Sequence, residues 1–139
     1  MTGANGRAAR GRCGLAALVL AASALLAAGT ATPAQASWDG DLRTCENQYG
    51  HEHYLGWDIP TVLLARGSTG VCVRELQEEL VEIGVVPAAD QPGFVDGDFG
   101  PRTYGAVVTY QSRYAVPGGA DGVVGRNTWH SLISHVYYE

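Results

Sequence analysis

Three arginines, two aromatic residues and an unpaired acidic side chain are the groups in this sequence best placed to meet a ligand. Arg102, Arg113 and Arg126 stand on or at the start of predicted helices, and a planar guanidinium fork suits a carboxylate. Tyr104 and Trp129 hold equivalent places in a nine-residue pattern that occurs twice, which makes them a candidate stacking pair, although aromatic residues on helical stripes are more often core and that reading is preferred for Trp129. That pattern is Asp96-Gly97-x-Phe99-Gly100-x-x-Thr103-Tyr104, repeated 25 positions on as Asp121-Gly122-x-Val124-Gly125-x-x-Thr128-Trp129. Asp98 lies inside the first copy and has no acidic counterpart in the second, so it is free of the repeat's own duties. Arg102, Arg113, Arg126, Asp98, Tyr104 and Trp129 are therefore the expected ligand-binding set.

Other constellations suggest chemistry and do not carry it. Asp96 and Asp121 resemble an acid–base carboxylate pair, but twin positions in a repeat predict one shared local job, accepting backbone N–H groups in a turn. Gln77 and Gln111 each close a Val-x-x-[Leu/Tyr]-Gln unit, and their amides suit either a ligand or buried backbone, with the structural reading preferred. His51-Glu52-His53 puts two histidines on one side of an extended strand, a partial metal site that would need Glu46 or Asp58 to complete it. No zinc-protease helix motif and no nucleophile elbow is present, so neither a catalytic set nor a metal or other cofactor is expected.

The elements that position these groups follow from the pattern. Each repeat reads as an Asp-Gly turn feeding a helix, with Pro101 in the first helical turn, where proline is accepted. Helices are expected over about 70–83, with Cys72, Val73, Leu76, Leu80 and Ile83 on the apolar stripe, about 101–114, and about 126–135. Thr69 is the expected N-cap of the first, and Gly84 the glycine that ends it. On that helix Arg74, Glu75, Glu78, Glu79 and Glu82 are expected to form the solvated face. Phe94-Val95 and Val123-Val124 are expected to add minor extended pairing beside the Asp-Gly turns. The fold class is thus all-α, a compact three-helix bundle with Asp-Gly turns. An irregular, aromatic-rich extension pinned by a disulfide precedes it.

Residues 1–36 have the three parts of an export signal: Arg7, Arg10 and Arg12, an apolar run of fourteen residues from Leu15 to Ala28, and the small-x-small site Ala34-Gln35-Ala36. The domain reading is then 1–36 signal peptide, 37–61 extension and 62–139 helical domain. Beyond residue 36 there are six arginines, no lysine and all fourteen acidic residues, a charge of −8, which argues against nucleic acid and anionic membranes as partners. Cys45 and Cys72 remain as an even pair in an oxidising compartment and are expected to form a disulfide.

The ordered series Gly67-Ser68-x-Gly70, Val73-x-x-Leu76-Gln77, Asp96-Gly97-x-Phe99-Gly100-Pro101-x-Thr103, Ala106-Val107-x-x-Tyr110-Gln111 and Asp121-Gly122-x-Val124-Gly125-x-x-Thr128-Trp129 with Leu132 resembles the peptidoglycan-binding domain of bacterial cell-wall hydrolases. The resemblance covers about 63–132. It implies a secreted or wall-associated, non-catalytic, monomeric module that holds peptidoglycan by its glycan or its stem peptide. The alternative is a binding or inhibitory partner of a secreted cell-wall hydrolase. A similar three-helix fold precedes the catalytic domain of matrix metalloproteinases, but the cysteine-switch sequence of those propeptides is not found here.

Overall fold

A computed structural model describes residues 33–138, with side chains placed for 40–136. The apolar run of the expected leader lies outside the described residues. Element order is α1 (Pro33–Tyr49), β1 (His51–Tyr54), β2 (Trp57–Pro60), α2 (Val71–Glu82), a single 3-10 turn (Ala88–Asp90), α3 (Pro101–Arg113) and α4 (Arg126–Tyr138).

The three expected helices are present as α2, α3 and α4. Their apolar stripes meet in one core built on Val73, Leu76 and Leu80 of α2, Val107 and Tyr110 of α3, and Trp129, Leu132 and Ile133 of α4. Phe99 and Val124, the apolar residues of the two repeats, point into that core, as the turn reading requires. Gly84 ends α2 at φ +75°, with the Gly84 N–H on the Val81 carbonyl and the Val85 N–H on the Leu80 carbonyl. The N-cap of α2 is Gly70 rather than Thr69: its carbonyl accepts the Val73 and Arg74 N–H groups, and no side chain caps the helix. The extended pairing is single bridges, Leu64 to Val124 and Thr69 to Asp98, which tie the 62–70 segment to both repeats.

The chain is not all-α, and the segment before the bundle is not irregular. Residues expected to form a loose extension fold as α1 and an antiparallel hairpin, making four helices and a two-stranded sheet among the described residues. Pro33 stands in the first turn of α1, where its missing N–H costs nothing, and Gly50 at φ +90° ends it. The hairpin turns through Leu55 and Gly56, both at positive φ, and pairs Tyr54 with Trp57 and His53 with Asp58. Ile59 is fully buried and anchors the hairpin to the core.

A second correction concerns α2. Glu75, Glu78 and Glu79 are buried rather than solvated. Cys72, Glu75 and Glu79 recur at i, i+3 and i+7 and so share one stripe, and α1 lies on that side. It is bonded through Cys45–Cys72 and ion-paired through Asp41 to Arg74 at 2.7 Å. Burial and the neighbouring acids push both Glu75 and Glu79 well above the usual carboxylate range, so Glu75 keeps its proton and donates it to Glu79.

Candidate functional site

The two repeats are built on two glutamines. Gln77, fully buried, donates through Nε2 to Asp96 Oδ1 (2.8 Å), the Asp98 carbonyl and Thr103 Oγ1, while its Oε1 accepts the Asp96 and Gly97 N–H groups. Gln111 repeats the arrangement on Asp121 Oδ1 (3.0 Å), the Val123 carbonyl and Thr128 Oγ1, and accepts the Gly122 N–H. The Asp98 N–H, then Gln77, hold the Asp96 carboxyl below the usual carboxylate range; the Val123 N–H and Gln111 do the same for Asp121. Both aspartates are therefore ionised turn acceptors rather than proton shuttles, and both glutamines are scaffold.

On this scaffold the expected ligand-binding residues separate. Arg102 and Arg113 stand three turns apart on α3, so they fall on one stripe with Ala106 and Thr109, about 16 Å from end to end. A cleft of about 300 Å³ runs between that stripe and the 85–94 loop, floored by Val85, Val86, Phe94 and Ala106. The Arg102 guanidinium lies 5.6 Å from the Phe94 ring centre and donates to the Asp90 and Gly93 carbonyls; Arg113 reaches the Gly84 carbonyl at 3.5 Å. Among the described residues neither guanidinium lies within 4 Å of a carboxylate, although Arg102 is close enough to help lower Asp96; Arg43 and Arg66 also make no ion pair. Arg74 and Arg126 both have one.

Arg126 faces elsewhere. Its Nε donates to both oxygens of Glu52, at 2.7 and 3.0 Å, and His130 Nε2 lies 2.6 Å from the same carboxylate. These two partners hold Glu52 down at about 2. Tyr54 stacks on the His130 ring at 3.9 Å, so the hairpin is seated on α4 by the Glu52 contacts to Arg126 and His130 together with this ring contact. A pair of adjoining hollows of about 280 and 260 Å³, sharing Pro117 and Asn127, runs beside them.

Trp129 is a core residue, correcting its place in the expected ligand set: it is 0% exposed and its indole N–H donates to the Val62 carbonyl at 2.8 Å. Tyr104 is half-buried between two neighbours. Arg66 covers its ring at 4.6 Å, and Gly122 lies so close that a Cβ there would sit 2.1 Å from Tyr104 Cε2. The equivalent positions of the repeat thus have different environments, and the stacking pair does not form. Asp98 is exposed in the first repeat. His51 and His53 are exposed, His53 meets Asp58 across the hairpin at 3.1 Å, and no three ligating side chains converge among the described residues.

The segment that carries both repeats, residues 69–132, matches the family described as "Putative peptidoglycan binding domain". Residues 69–132 belong to the peptidoglycan-binding domain family. The chain is 32% identical over 115 residues to the zinc D-Ala-D-Ala carboxypeptidase of Streptomyces albus G, a match covering 83% of this chain and 38% of that enzyme's length. A solved peptidoglycan-binding protein from Clostridioides difficile, in complex with glutamine hydroxamate, is 33% identical, with 54% and 43% of the two chains covered and a TM-score of 0.45. The SleB N-terminal domain is 32% identical, covering 54% of this chain and 93% of that one, with a TM-score of 0.46. The chain thus spans less than half the length of the carboxypeptidase. The peptidoglycan-binding segment contains Arg102, Arg113 and Arg126, whereas α1, Glu52 and Tyr54 lie before it. Glu52, expected only as part of His51-Glu52-His53, and Tyr54 are not in the expected ligand-binding set, although an aromatic residue on each side of Leu55-Gly56 is compatible with a hairpin.

Proposed function

We propose that this protein is a secreted, non-catalytic, monomeric module that holds peptidoglycan, and that the α3 cleft takes the stem peptide. One observation carries the reading: in a chain with a surplus of acid, Arg102 lines a cleft floored by Val85, Val86, Phe94 and Ala106, with Asp90 and Thr109 in its polar wall, and Arg113 stands on the same helical stripe, neither arginine in an ion pair among the described residues. Stem peptides offer free carboxylates on an amide backbone that also carries small apolar side chains, which match a cation in the cleft and a second one further along the helix. Residues 1–36 act as the export signal in this reading, and 62–139 form the binding domain.

The experiment is co-sedimentation with purified sacculi. The protein is expected in the pellet, and Arg102→Ala with Arg113→Ala should weaken binding by at least about tenfold, given charge-assisted contacts of about 1.5–3 kcal/mol each. Arg43→Ala, on the exposed side of α1, should leave it unchanged. Protein that stays in the supernatant at every concentration would end the proposal. A second reading, a partner of a secreted hydrolase, is favoured by the match to part of a longer carboxypeptidase; a binding domain raises the effective concentration of an enzyme near its polymer. One hydrolase retrieved from culture medium in fixed ratio would support it.

A further inference from the structure

We infer that the surface along α4, from Tyr54 of the hairpin to the 117–125 loop, is a second binding site, separate from the α3 cleft, and that it takes an uncharged, N-acetylated sugar strand. The inference rests on the peptidoglycan reading for its biological source but on its own geometry for its chemistry. The two hollows share Pro117 and Asn127 as lining residues and so lie side by side, a two-part trough at the start of α4. At one end stands Tyr54, stacked on His130 and 36% exposed as a residue, an aromatic platform whose orientation is fixed before any ligand arrives. At the other end is Leu63, 65% exposed, an apolar seat for an acetyl methyl group.

Charge distinguishes this trough from the α3 cleft. Its cation, Arg126, is neutralised by Glu52, and its carboxylate, Asp121, is occupied by the Val123 N–H and the Gln111 amide. Asp121 keeps its negative charge, both bonds falling on Oδ1, so the trough disfavours an anionic ligand and offers its hydrogen-bonding groups to an uncharged one. The Asn127 side chain donates to the Pro117 carbonyl at 2.9 Å, which fixes its amide plane and turns its oxygen into an oriented acceptor. Ser131 and Ser134 line the same wall; Ser131 shares a hydrogen bond with the Tyr110 hydroxyl and Ser134 donates to the His130 carbonyl, so their oxygens are left chiefly as acceptors. An aromatic ring for the apolar face of a pyranose, with amide and hydroxyl groups for its equatorial hydroxyls and N-acetyl group, is the recognition chemistry of a neutral amino sugar. An anionic peptide would find no free cation there.

The test uses N-acetylglucosamine tetramer, which carries no peptide and no charge, titrated into the protein while backbone amide shifts are followed. Expected shifts fall on Tyr54, Asn127, His130, Ser131 and Ser134. Tyr54→Ala should weaken binding about tenfold, the scale of one lost aromatic platform, Tyr54→Phe should retain it, and Asn127→Ala should weaken it independently of the hairpin. Arg102→Ala/Arg113→Ala should bind the tetramer as the parent does. Shifts confined to α3, no shifts at millimolar tetramer, or a folded Tyr54→Ala and Asn127→Ala that both bind normally would each overturn the inference. Wild-type protein that pellets with sacculi but ignores the tetramer overturns this inference while leaving the α3 reading intact. Tetramer binding without pelleting does the reverse.

Discussion

At the scale of single residues, repetition in sequence did not produce repetition in environment. Gly97 and Gly122 occupy the same step of the repeat at φ +79° and +74°, where any side chain is strained. They differ in what faces them: a Cβ on Gly97 would approach the flexible Arg74 Cγ at 3.1 Å, whereas one on Gly122 would meet the Tyr104 ring at 2.1 Å. Gly97→Ala should therefore cost about 1–2 kcal/mol for backbone strain alone, and Gly122→Ala a further 1–3 kcal/mol or so for overpacking. Urea denaturation measures both. Adding Tyr104→Ala should make Gly122→Ala cost little more than Gly97→Ala does; equal costs in the Tyr104 background would remove the packing argument. The aspartate and glutamine roles were legible because two copies of one residue set imply one local task. Trp129 and Tyr104 were not separable, since both lie at the same step and only their neighbours across the core differ.

At the scale of elements, the helices with a clean apolar stripe were readable to within a few residues, and the two elements without one were not. The α1 segment has Gly40 in its middle and no sustained period, so its stability comes from outside itself, from Cys72 and Arg74 on α2. The hairpin turns on Leu-Gly rather than Asn-Gly or Asp-Gly, with Leu55 at φ +51°, so the usual turn signal is missing. Replacing Cys45 and Cys72 together by serine should lower stability by about 3–4 kcal/mol, the chain-entropy value for a loop of this size, with a separation of 27 residues. Hydrogen exchange should rise first across residues 40–49 and only then in α3 and α4. Uniform loss of protection would show that α1 is integral to the core instead.

At the scale of the whole molecule, two groups of carboxylates pull stability in opposite directions with pH. Asp96, Asp121 and Glu52 are lowered in the folded protein, so their contribution is present above the ordinary carboxylate range and is lost as pH falls through their folded values. Glu75 and Glu79 are raised, so the folded state holds protons that the unfolded chain has released, and stability declines as pH climbs from the ordinary carboxylate range through neutrality. Thermal unfolding should therefore peak at mildly acidic pH. Glu75→Gln with Glu79→Gln should flatten the alkaline side and leave the acid side in place; an unchanged alkaline slope would sink the assignment.

What the residue order determined by itself was the local grammar: two Asp-Gly turns, three helices with apolar stripes, a cysteine pair, and a shortage of positive charge that makes each arginine count. These depend on neighbours within a few positions, whose spacing is written directly in the chain. Tertiary structure decided the rest. It folded α1 over a glutamate-rich face, seated a hairpin on α4, buried Trp129, and left Arg102 and Arg113 without acidic partners while giving one to Arg126. Those outcomes turn on contacts between residues far apart in sequence, such as Glu52 with Arg126 and His130, and no local period encodes which distant side chain arrives.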